Sequence, residues 1–267
     1  SARTNCVTSL AGMLISPSWL IQPLKVVPSF AAVCAYGASP GPIDLNRVMV
    51  VDAERDISFH KPLPVTATVT ADSTDSGVFD KGKEKGAVVQ RQTVVKDASS
   101  GEKLVTIRSS TFARGDGGFG GPTEGQPEPH PVPKRSPDMS VDISTRPDQA
   151  LIYRLSGDRN PLHSDPEFAA RAGFKQPILH GQCTYGITCR ALLQTYADYD
   201  PEAIKRHAVR FSAPVFPGEV LTTSIWRTEP GRAVYRTEAS GPDGSNARIV
   251  LDDGVAVSRL ADGSVVI

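Results

Sequence analysis

The segment Gly181–Tyr196, GQCTYGITCRALLQTY, precedes a long region in which apolar and polar residues alternate. Within the segment, Ile187, Ala191 and Thr195 recur at a helical spacing, which predicts one helix over residues 181–196. The alternation predicts the strands of an antiparallel sheet, separated by turns that contain proline and glycine. These strands are expected at 206–213, 219–228, 232–240 and 246–257. The second half of the chain is therefore predicted to be one helix packed against a long antiparallel sheet.

The first half of the chain repeats this order of elements. A helix is predicted around residues 29–36, and the alternating stretches after it predict strands near 45–60, 63–75, 86–96 and 102–113. The sequence FHKPLP at 59–64 precedes a strand in the first half, as FSAPVFP at 211–217 does in the second. An internal duplication is the simplest account of this repeated order.

Residues 115–145 separate the two halves. The region is rich in glycine and proline and has no hydrophobic period, which is typical of a linker. It divides the chain into an N-terminal domain at 1–114 and a C-terminal domain at 146–267. Its GDGGFGG run matches a dinucleotide-binding string, but Pro122 and further prolines follow where that motif requires a helix, so a dinucleotide site is not expected.

The composition is typical of a globular protein without a polyanionic partner. The 29 lysine and arginine residues balance 29 aspartate and glutamate residues without a long block of one sign, which argues against nucleic acid or an anionic membrane. The four cysteines lack the spacing of a metal site or a disulfide framework. Prolines interrupt the apolar N-terminal region, so no membrane span is expected. With no signal peptide and no peroxisomal tripeptide in Ser264–Ile267, a cytoplasmic location is expected.

The run YRLSGDRNPLH at 153–163 brings an acid, a carboxamide and an imidazole together in turn-prone backbone. Its glycine and proline make a continuous helix unfavourable, so Asp158 and His163 can converge on one small molecule such as water. The alternative is an ordinary turn, in which Asp158 and Asn160 bond their own backbone and His163 lies on the surface.

This run resembles the signature of the R-specific 2-enoyl-CoA hydratases, the hydratase 2 branch of the MaoC-like dehydratases. The similarity continues in four further blocks: SDP at 164–166, AGF at 172–174, PILHGQCT at 177–184 and RFSAPVFPG at 210–218. DKG at 80–82 and the glycine-rich run at 115–121 also resemble the two-domain members. The resemblance implies an α+β double hot-dog fold, in which each half wraps a long antiparallel sheet around a central helix.

The same resemblance implies a lyase of fatty acyl metabolism and β-oxidation. Such an enzyme interconverts trans-2-enoyl-CoA and (R)-3-hydroxyacyl-CoA, needs no metal or organic cofactor beyond the CoA of its acyl-CoA thioester substrate, and acts as a homodimer. Residue by residue, Asp158 and His163 become the catalytic pair, and which of them is the base stays open because a coupled carboxylate and imidazole titrate together. Asn160 is expected to orient the water or the thioester.

Gly181 is the candidate oxyanion donor. Its N–H lies free at the positive end of the predicted helix, and the resemblance places the thioester there. The alternative is a glycine that merely starts the helix. The resemblance further implies substrate contacts at Lys81 and Phe211, against the alternatives of a solvated turn lysine and ordinary strand packing. Arg154, which is matched in the two-domain members, is expected to support the site and could pair with Asp158 or a neighbouring carboxylate.

The chain also departs from the family. Where the first domain commonly has His-Gly-Glu-Gln, this chain has Asp52-Ala53-Glu54-Arg55, which puts the first-domain substrate contact in question. The first half has no counterpart of Asp158 or His163, so we expect it to be non-catalytic and to accommodate the acyl chain. The alternatives are a dehydratase for a polyketide, sterol side-chain or carrier-bound thioester, a non-catalytic acyl-CoA-binding protein, and a hot-dog thioesterase.

Overall fold

The computed structural model describes residues 3–9, 25–38, 43–126 and 128–259, with the backbone alone described for 3–9 and Arg47. Most of the apolar N-terminal region and the C-terminal tripeptide lie outside these residues. Among the helices that are described, none is both long enough and apolar enough to cross a membrane.

Ten strands are found in the described part of the chain, and they form one antiparallel sheet. The first half contributes β1 (Arg3–Ser9), β2 (Val50–Phe59), β3 (Thr66–Asp80), β4 (Ala87–Asp97) and β5 (Lys103–Ala113). The second contributes β6 (Met139–Ser144), β7 (Ile204–Phe211), β8 (Val220–Glu229), β9 (Arg232–Ser240) and β10 (Arg248–Ser258). The α-helices are α1 (Phe30–Cys34), α2 (Gln149–Tyr153), α3 (Pro166–Arg171) and α4 (Gly181–Tyr196), and short 3₁₀ turns span Arg47–Met49, Arg154–Ser156 and Pro161–His163.

The strand order shows that the two halves are equivalent. The order is β1-β3-β4-β5-β2-β7-β10-β9-β8-β6, so each strand of the first half has a counterpart at the mirrored place in the second. The central strands β2 and β7 pair directly, with Glu54 opposite Arg210 and Ser58 opposite Arg206. The predicted double hot-dog fold is confirmed: each half supplies five strands and a helix that follows its first strand.

The two outermost strands, β1 and β6, were not expected from the sequence. β6 lies at residues 139–144, which the sequence analysis assigned to the linker. It is only six residues long and pairs with a single neighbour, β8, so its alternating pattern is short and is embedded in a region rich in proline. The proposed domain limits themselves stay a prediction.

In the first half, α1 is shorter than the predicted helix at 29–36 because a turn replaces its last residues and ends at Gly37, whose φ of +81° favours glycine.

Helix α4 is anchored to the sheet by a buried aromatic network. Tyr185 of α4 stacks on His207 of β7 at 4.1 Å between ring centroids, and its hydroxyl donates to the His207 carbonyl at 3.0 Å. The Tyr235 hydroxyl donates to the Ala208 carbonyl, so the 2.7 Å contact with His207 Nε2 is a bond that the imidazole donates. All three aromatic side chains are fully buried. The network fixes the position of the α4 N-terminus relative to the sheet.

Asp80 fixes the glycine-rich run of the linker region. Its carboxylate accepts from the N–H groups of Gly118 and Gly120 at 2.7 Å each and from Gly82 at 2.8 Å. These backbone donors, with Gly118 first, lower the pKa of Asp80. A Cβ at Gly117 would lie 2.2 Å from the Gly82 carbonyl, so a larger residue does not fit there. The glycine-rich run is therefore packed against the turn that begins at Asp80.

Candidate active site

The loop that carries the acid and the imidazole contains both turn bonds expected of an ordinary turn. The Asn160 N–H donates to Asp158 Oδ1 at 3.1 Å, and Asn160 Oδ1 accepts from the Leu162 N–H at 3.0 Å. Gly157, with φ of +119°, ends the preceding 3₁₀ turn. His163, however, is only 9% exposed, contrary to the surface position that the simple turn predicts. The turn therefore points its imidazole into the protein.

The tautomer of His163 follows from its partner. Nδ1 lies 2.8 Å from the carbonyl oxygen of Ile178. Because a carbonyl only accepts, Nδ1 carries the hydrogen, which leaves Nε2 with a lone pair. Burial lowers the pKa of His163, and the bond to Ile178 opposes this in part. His163 is therefore a neutral imidazole whose Nε2 can accept a proton.

His180, the N-cap residue of α4, contacts both His163 and Asp158. Its ring stacks on that of His163 with centroids 3.7 Å apart and planes inclined by 26°. Its Nε2 donates to the backbone carbonyl of Asp158 at 3.2 Å. Burial, followed by the charge of His163, lowers the pKa of His180 to about 4. The sequence analysis assigned this histidine no site role, because its contacts depend on how the loop folds back over the helix start.

Asp158, His163 and His180 bring one nitrogen or oxygen ligand atom each within 4.8 Å of one another. This donor set does not suit a metal ion. The lone pair of each imidazole lies in its ring plane, and the two stacked rings have centroids 3.7 Å apart. One metal ion therefore cannot lie in both ring planes at about 2.1 Å from a nitrogen of each ring, the usual length of a metal–nitrogen bond. The cluster is better suited to holding a small molecule by hydrogen bonds.

A cavity of about 400 Å³ opens beside this cluster. Both halves of the chain form its wall. The first half contributes the start of β2 and the end of β5, and the second contributes the catalytic loop, the start of α4 and the loop after β7. The lining residues used below are Asp52, Arg114, Asp158, Asn160, His163, Phe174, Gly181 and Phe211. The volume is in the range of small-molecule sites.

Gly181 begins α4, as the sequence predicts. The first backbone bonds run from Cys183 and Thr184 to the His180 carbonyl, so the Gly181 N–H precedes the bonded ladder of the helix. A Cβ at this position would lie 2.9 Å from Asp52 Oδ2 and 3.3 Å from Phe211 Cε1. A larger residue here would therefore have to displace the Asp52 carboxylate, which is a packing reason for glycine in addition to any role of its N–H.

Asp52, the first residue that departs from the family pattern, thus lies in the cavity wall against Gly181. Its Oδ2 accepts from Gln182 Nε2 at 3.1 Å, and its Oδ1 pairs with Arg55 at 3.3 Å. The departure noted in the sequence consequently places a carboxylate beside the start of α4, with Arg55 as its counter-charge.

Two predicted site residues lie elsewhere. Lys81 does not line the cavity, and its ammonium donates to the Thr123 carbonyl at 2.6 Å and to Gln126 Oε1 at 2.7 Å. Its CoA contact stays a prediction. Arg154 also lies outside the cavity wall and forms no ion pair with Asp158 or another carboxylate among the described residues, so that pairing is wrong, whereas its supporting role stays a prediction. The carboxylate of Asp158 is satisfied instead by nearer donors.

One of these donors, Tyr36, was missed by the sequence analysis. It follows α1 in the first half, and its hydroxyl donates to Asp158 Oδ1 at 3.0 Å. Desolvation and the Asp158 charge raise the pKa of Tyr36 to about 12, so the phenol stays protonated. No sequence motif identifies a contact between residues so far apart. The first half therefore contacts the Asp158 carboxylate directly.

Comparisons with known families match both halves of the chain. The description "MaoC like domain" matches residues 129–242, and "MFE-2 hydratase 2 N-terminal domain" matches residues 20–115. The chain is 46% identical over 240 residues to a Mycobacterium tuberculosis protein named 3-hydroxyacyl-thioester dehydratase Y, covering 89% of this chain and 82% of that protein.

A second Mycobacterium tuberculosis protein, named enoyl-CoA hydratase ChsH3, is 41% identical over 210 residues, which cover 76% of this chain and 72% of the relative. Among solved structures, a MaoC-like dehydratase from Phytophthora capsici superposes with a TM-score of 0.74 at 34% identity. That superposition covers 86% of this chain and 76% of the other.

Proposed function

The chain belongs to the MaoC-like dehydratase family and is a hydratase of the lyase class, and we propose that it interconverts trans-2-enoyl-CoA and (R)-3-hydroxyacyl-CoA. The observation that supports this reaction best is that Asp158, His163 and Gly181 line one cavity. Addition of water to an enoyl thioester needs an acid/base group near the water and a donor near the thioester oxygen, and these residues supply both.

In the proposed mechanism, a water molecule is held between the Asp158 carboxylate and His163 Nε2. Nε2 accepts a proton from the water as the hydroxide adds to C3, because its lone pair is free and Nδ1 is fixed on Ile178. The electron pair of the double bond moves to C2 and onto the thioester oxygen. The imidazolium then returns the proton to C2, so one proton is taken up and released in each turnover.

The enolate-like oxygen of this mechanism is stabilised at the start of α4. The Gly181 N–H donates to it, and the positive end of the 16-residue helix adds a favourable potential. Asn160 uses its carboxamide oxygen on Leu162, which leaves its NH₂ group to orient the water or the thioester. Phe211 packs beside Gly181 and contacts the thioester region of the substrate.

Substitution of the pair tests this mechanism. With a trans-2-enoyl-CoA, His163→Ala is expected to lower kcat by about 100-fold or more, the usual contribution of a general acid or base. Asp158→Asn is expected to lower kcat by a similar factor, because the water then loses the carboxylate that holds it. Loss of the conjugated thioester absorbance measures the rate, and circular dichroism checks that the fold is kept. Near-normal turnover in either variant would refute the assigned pair. Chiral chromatography of the product tests the (R) configuration.

A substrate panel tests the competing function. The Asp52 departure favours an altered acyl or carrier preference, so enoyl thioesters of different chain length, branching and carrier should be compared. We further propose that the first half makes room for the acyl chain, since it forms part of the cavity wall. A strict preference for short chains would argue against that role. Independence from a metal or organic cofactor, a homodimer and a cytoplasmic location stay predictions.

A further inference from the structure

Arg114 lies directly after β5 and lines the catalytic cavity. Among the described residues of the cavity wall it is the one lysine or arginine, whereas Asp52 and Asp158 are acids. A half-buried guanidinium in a ligand cavity has lost part of its hydration, and an acidic partner in the protein or an anion of the ligand would compensate for that loss.

The partners of Arg114 carry no charge. Its Nε donates to the Met49 carbonyl at 3.3 Å, and Nη2 donates to the Ala172 carbonyl at 3.1 Å. The guanidinium lies 5.3 Å from the centroid of the Phe174 ring. No carboxylate of the described chain forms an ion pair with it. By contrast Arg248, which also stacks on a phenylalanine, is paired with Glu219 at 2.7 Å.

These contacts hold the guanidinium in place without neutralising it. Two carbonyls and an aromatic face fix its plane, and the N–H groups of Nη1 donate to no atom of the described residues. A fixed guanidinium with free donors matches the tetrahedral oxygens of a phosphate, to which arginine donates two parallel bonds.

The surroundings of Arg114 add positive charge. The turn after β3 packs on its backbone, since a Cβ at Gly86 would lie 2.7 Å from Arg114 Cα. That turn carries the exposed residues Lys83, Glu84 and Lys85, none of which forms an ion pair in the part of the chain that the structure describes. Two lysines and one glutamate leave the turn with a net positive charge beside Arg114, as suits a ligand with several phosphates.

We propose that Arg114 binds a phosphate group of the CoA portion of the substrate. This assignment rests on the proposed function, because it takes the substrate to be a CoA thioester. Arg114 then contributes to affinity for the carrier and not to the reaction at C2 and C3. It also joins the two halves at the cavity, since its carbonyl partners follow α3 on one side and precede β2 on the other.

The test compares two substrates with one acyl group: a trans-2-enoyl-CoA and the corresponding trans-2-enoyl-pantetheine, which has no phosphate. Arg114→Ala is expected to lower kcat/KM for the CoA thioester about 10- to 100-fold, mainly through KM, since bonds to charged groups are strong. The pantetheine thioester should change by less than about twofold, because it offers no anion to Arg114. Arg114→Lys should recover part of the loss.

Arg171 provides a matched control. It lies at the end of α3, and its guanidinium is also 5.3 Å from a phenylalanine ring, that of Phe168, but it does not line the cavity. Arg171→Ala should leave the kinetics with both thioesters unchanged. If Arg114→Ala instead lowers kcat/KM equally for both thioesters, the residue supports the fold and the proposal is wrong. A wild-type protein that uses both thioesters equally well would also overturn it.

Calorimetric titration with free CoA and with pantetheine separates this proposal from the proposed reaction. Tighter binding of CoA that is lost in Arg114→Ala supports the phosphate contact even if neither thioester is hydrated, in which case the reaction is wrong and the contact stands. Equal CoA affinity of the wild type and Arg114→Ala refutes the contact, whatever the catalytic result.

Discussion

The imidazole rings of His163 and His180 are stacked, with 3.7 Å between their centroids. Two imidazolium ions at this distance would repel each other strongly in a buried site, so at most one ring carries a charge. Because the pKa of His180 is lowered to about 4, His180 stays neutral in the proposed mechanism while His163 takes up and releases a proton. The ring face of His180 and its hydrogen bond to the Asp158 carbonyl thus keep Asp158 and His163 aligned.

Substitutions of His180 separate the stack from the hydrogen bond. His180→Phe keeps a ring against His163 but leaves the Asp158 carbonyl without its donor, whereas His180→Gln keeps a donor and removes the ring. We expect His180→Phe to lower kcat about tenfold, the effect of losing roughly one buried hydrogen bond, and His180→Gln to lower kcat through loss of the ring that packs on His163, each with little change in KM. Steady-state kinetics measure both parameters. If both variants lose thermal stability along with kcat and keep the pH profile of the wild type, the role of His180 is purely structural.

Removal of the Tyr36 hydroxyl tests the contact between the first half and the Asp158 carboxylate. Tyr36→Phe deletes the 3.0 Å bond to Asp158 Oδ1 at a half-exposed position, so the fold should not change. We expect kcat to fall about three- to tenfold, the range for one neutral donor to a carboxylate at an accessible site. Tyr199→Phe, at an exposed tyrosine away from the cavity, is the control. Wild-type kcat in Tyr36→Phe would show that Asp158 does not depend on this donor.

Gly181 and Asp52 should be coupled. The methyl group of Gly181→Ala would meet Asp52 Oδ2 at 2.9 Å and displace the carboxylate, although the backbone N–H remains. We expect a loss of kcat of about tenfold or more from the displaced helix start, and a smaller loss when the same change is made in Asp52→Ala, because the nearest contact is then gone. A double-mutant cycle on kcat measures the difference. Additive effects would mean that contact with Phe211, at 3.3 Å, dominates.

Three buried histidines predict that the fold is weakened by acid. Burial lowers the pKa of His163, lowers that of His180 to about 4 and lowers that of His207 to about 3. In the unfolded chain each has its ordinary pKa near 6.5, so only the unfolded chain takes up these protons as the pH falls below that value. The contribution of these histidines to the free energy of unfolding is therefore complete above pH 6.5. It decreases towards pH 4, by up to about 1.4 kcal/mol per pH unit for each such proton.

Urea unfolding at pH 8, 7, 6 and 5 measures this loss. His207→Phe keeps the stack on Tyr185 and removes one titrating group, so its free energy of unfolding should be lower at pH 8 but depend less steeply on pH below 6.5. A slope below pH 6.5 as steep as that of the wild type would show that His207 is not kept neutral by the fold.

The sequence was sufficient for the parts of the molecule that have a local pattern. Helix α4 was predicted with both of its ends, because its apolar spacing is long and a glycine starts it. Eight strands were predicted within a few residues, whereas β6 was not, since a short edge strand buries one face only and leaves a weak pattern. The loop with Asp158 and His163 was identified by its residue types, and its convergence with Gly181 followed from the resemblance.

The contacts made by Tyr36, His180 and Arg114 could not be predicted in the same way. Tyr36 and Asp158 are 122 residues apart, and their contact depends on how the two halves are placed. The pairing assumed for Arg154 was wrong because a donor closer in space, though distant in sequence, satisfies Asp158. For Asp52, the sequence did give a signal, the departure from the family pattern, but its position against Gly181 required the structure.

The direct pairing of β2 with β7 makes the two halves one sheet within a single chain. In an assembly of two identical copies, every inherited substitution would appear twice, once on each side of the shared sheet. Here a change on one side is inherited without its mirror image. Asp52 of the first half and Gly181 of the second can therefore each differ from the residue at the mirrored position, and the cavity that they line need not be symmetric.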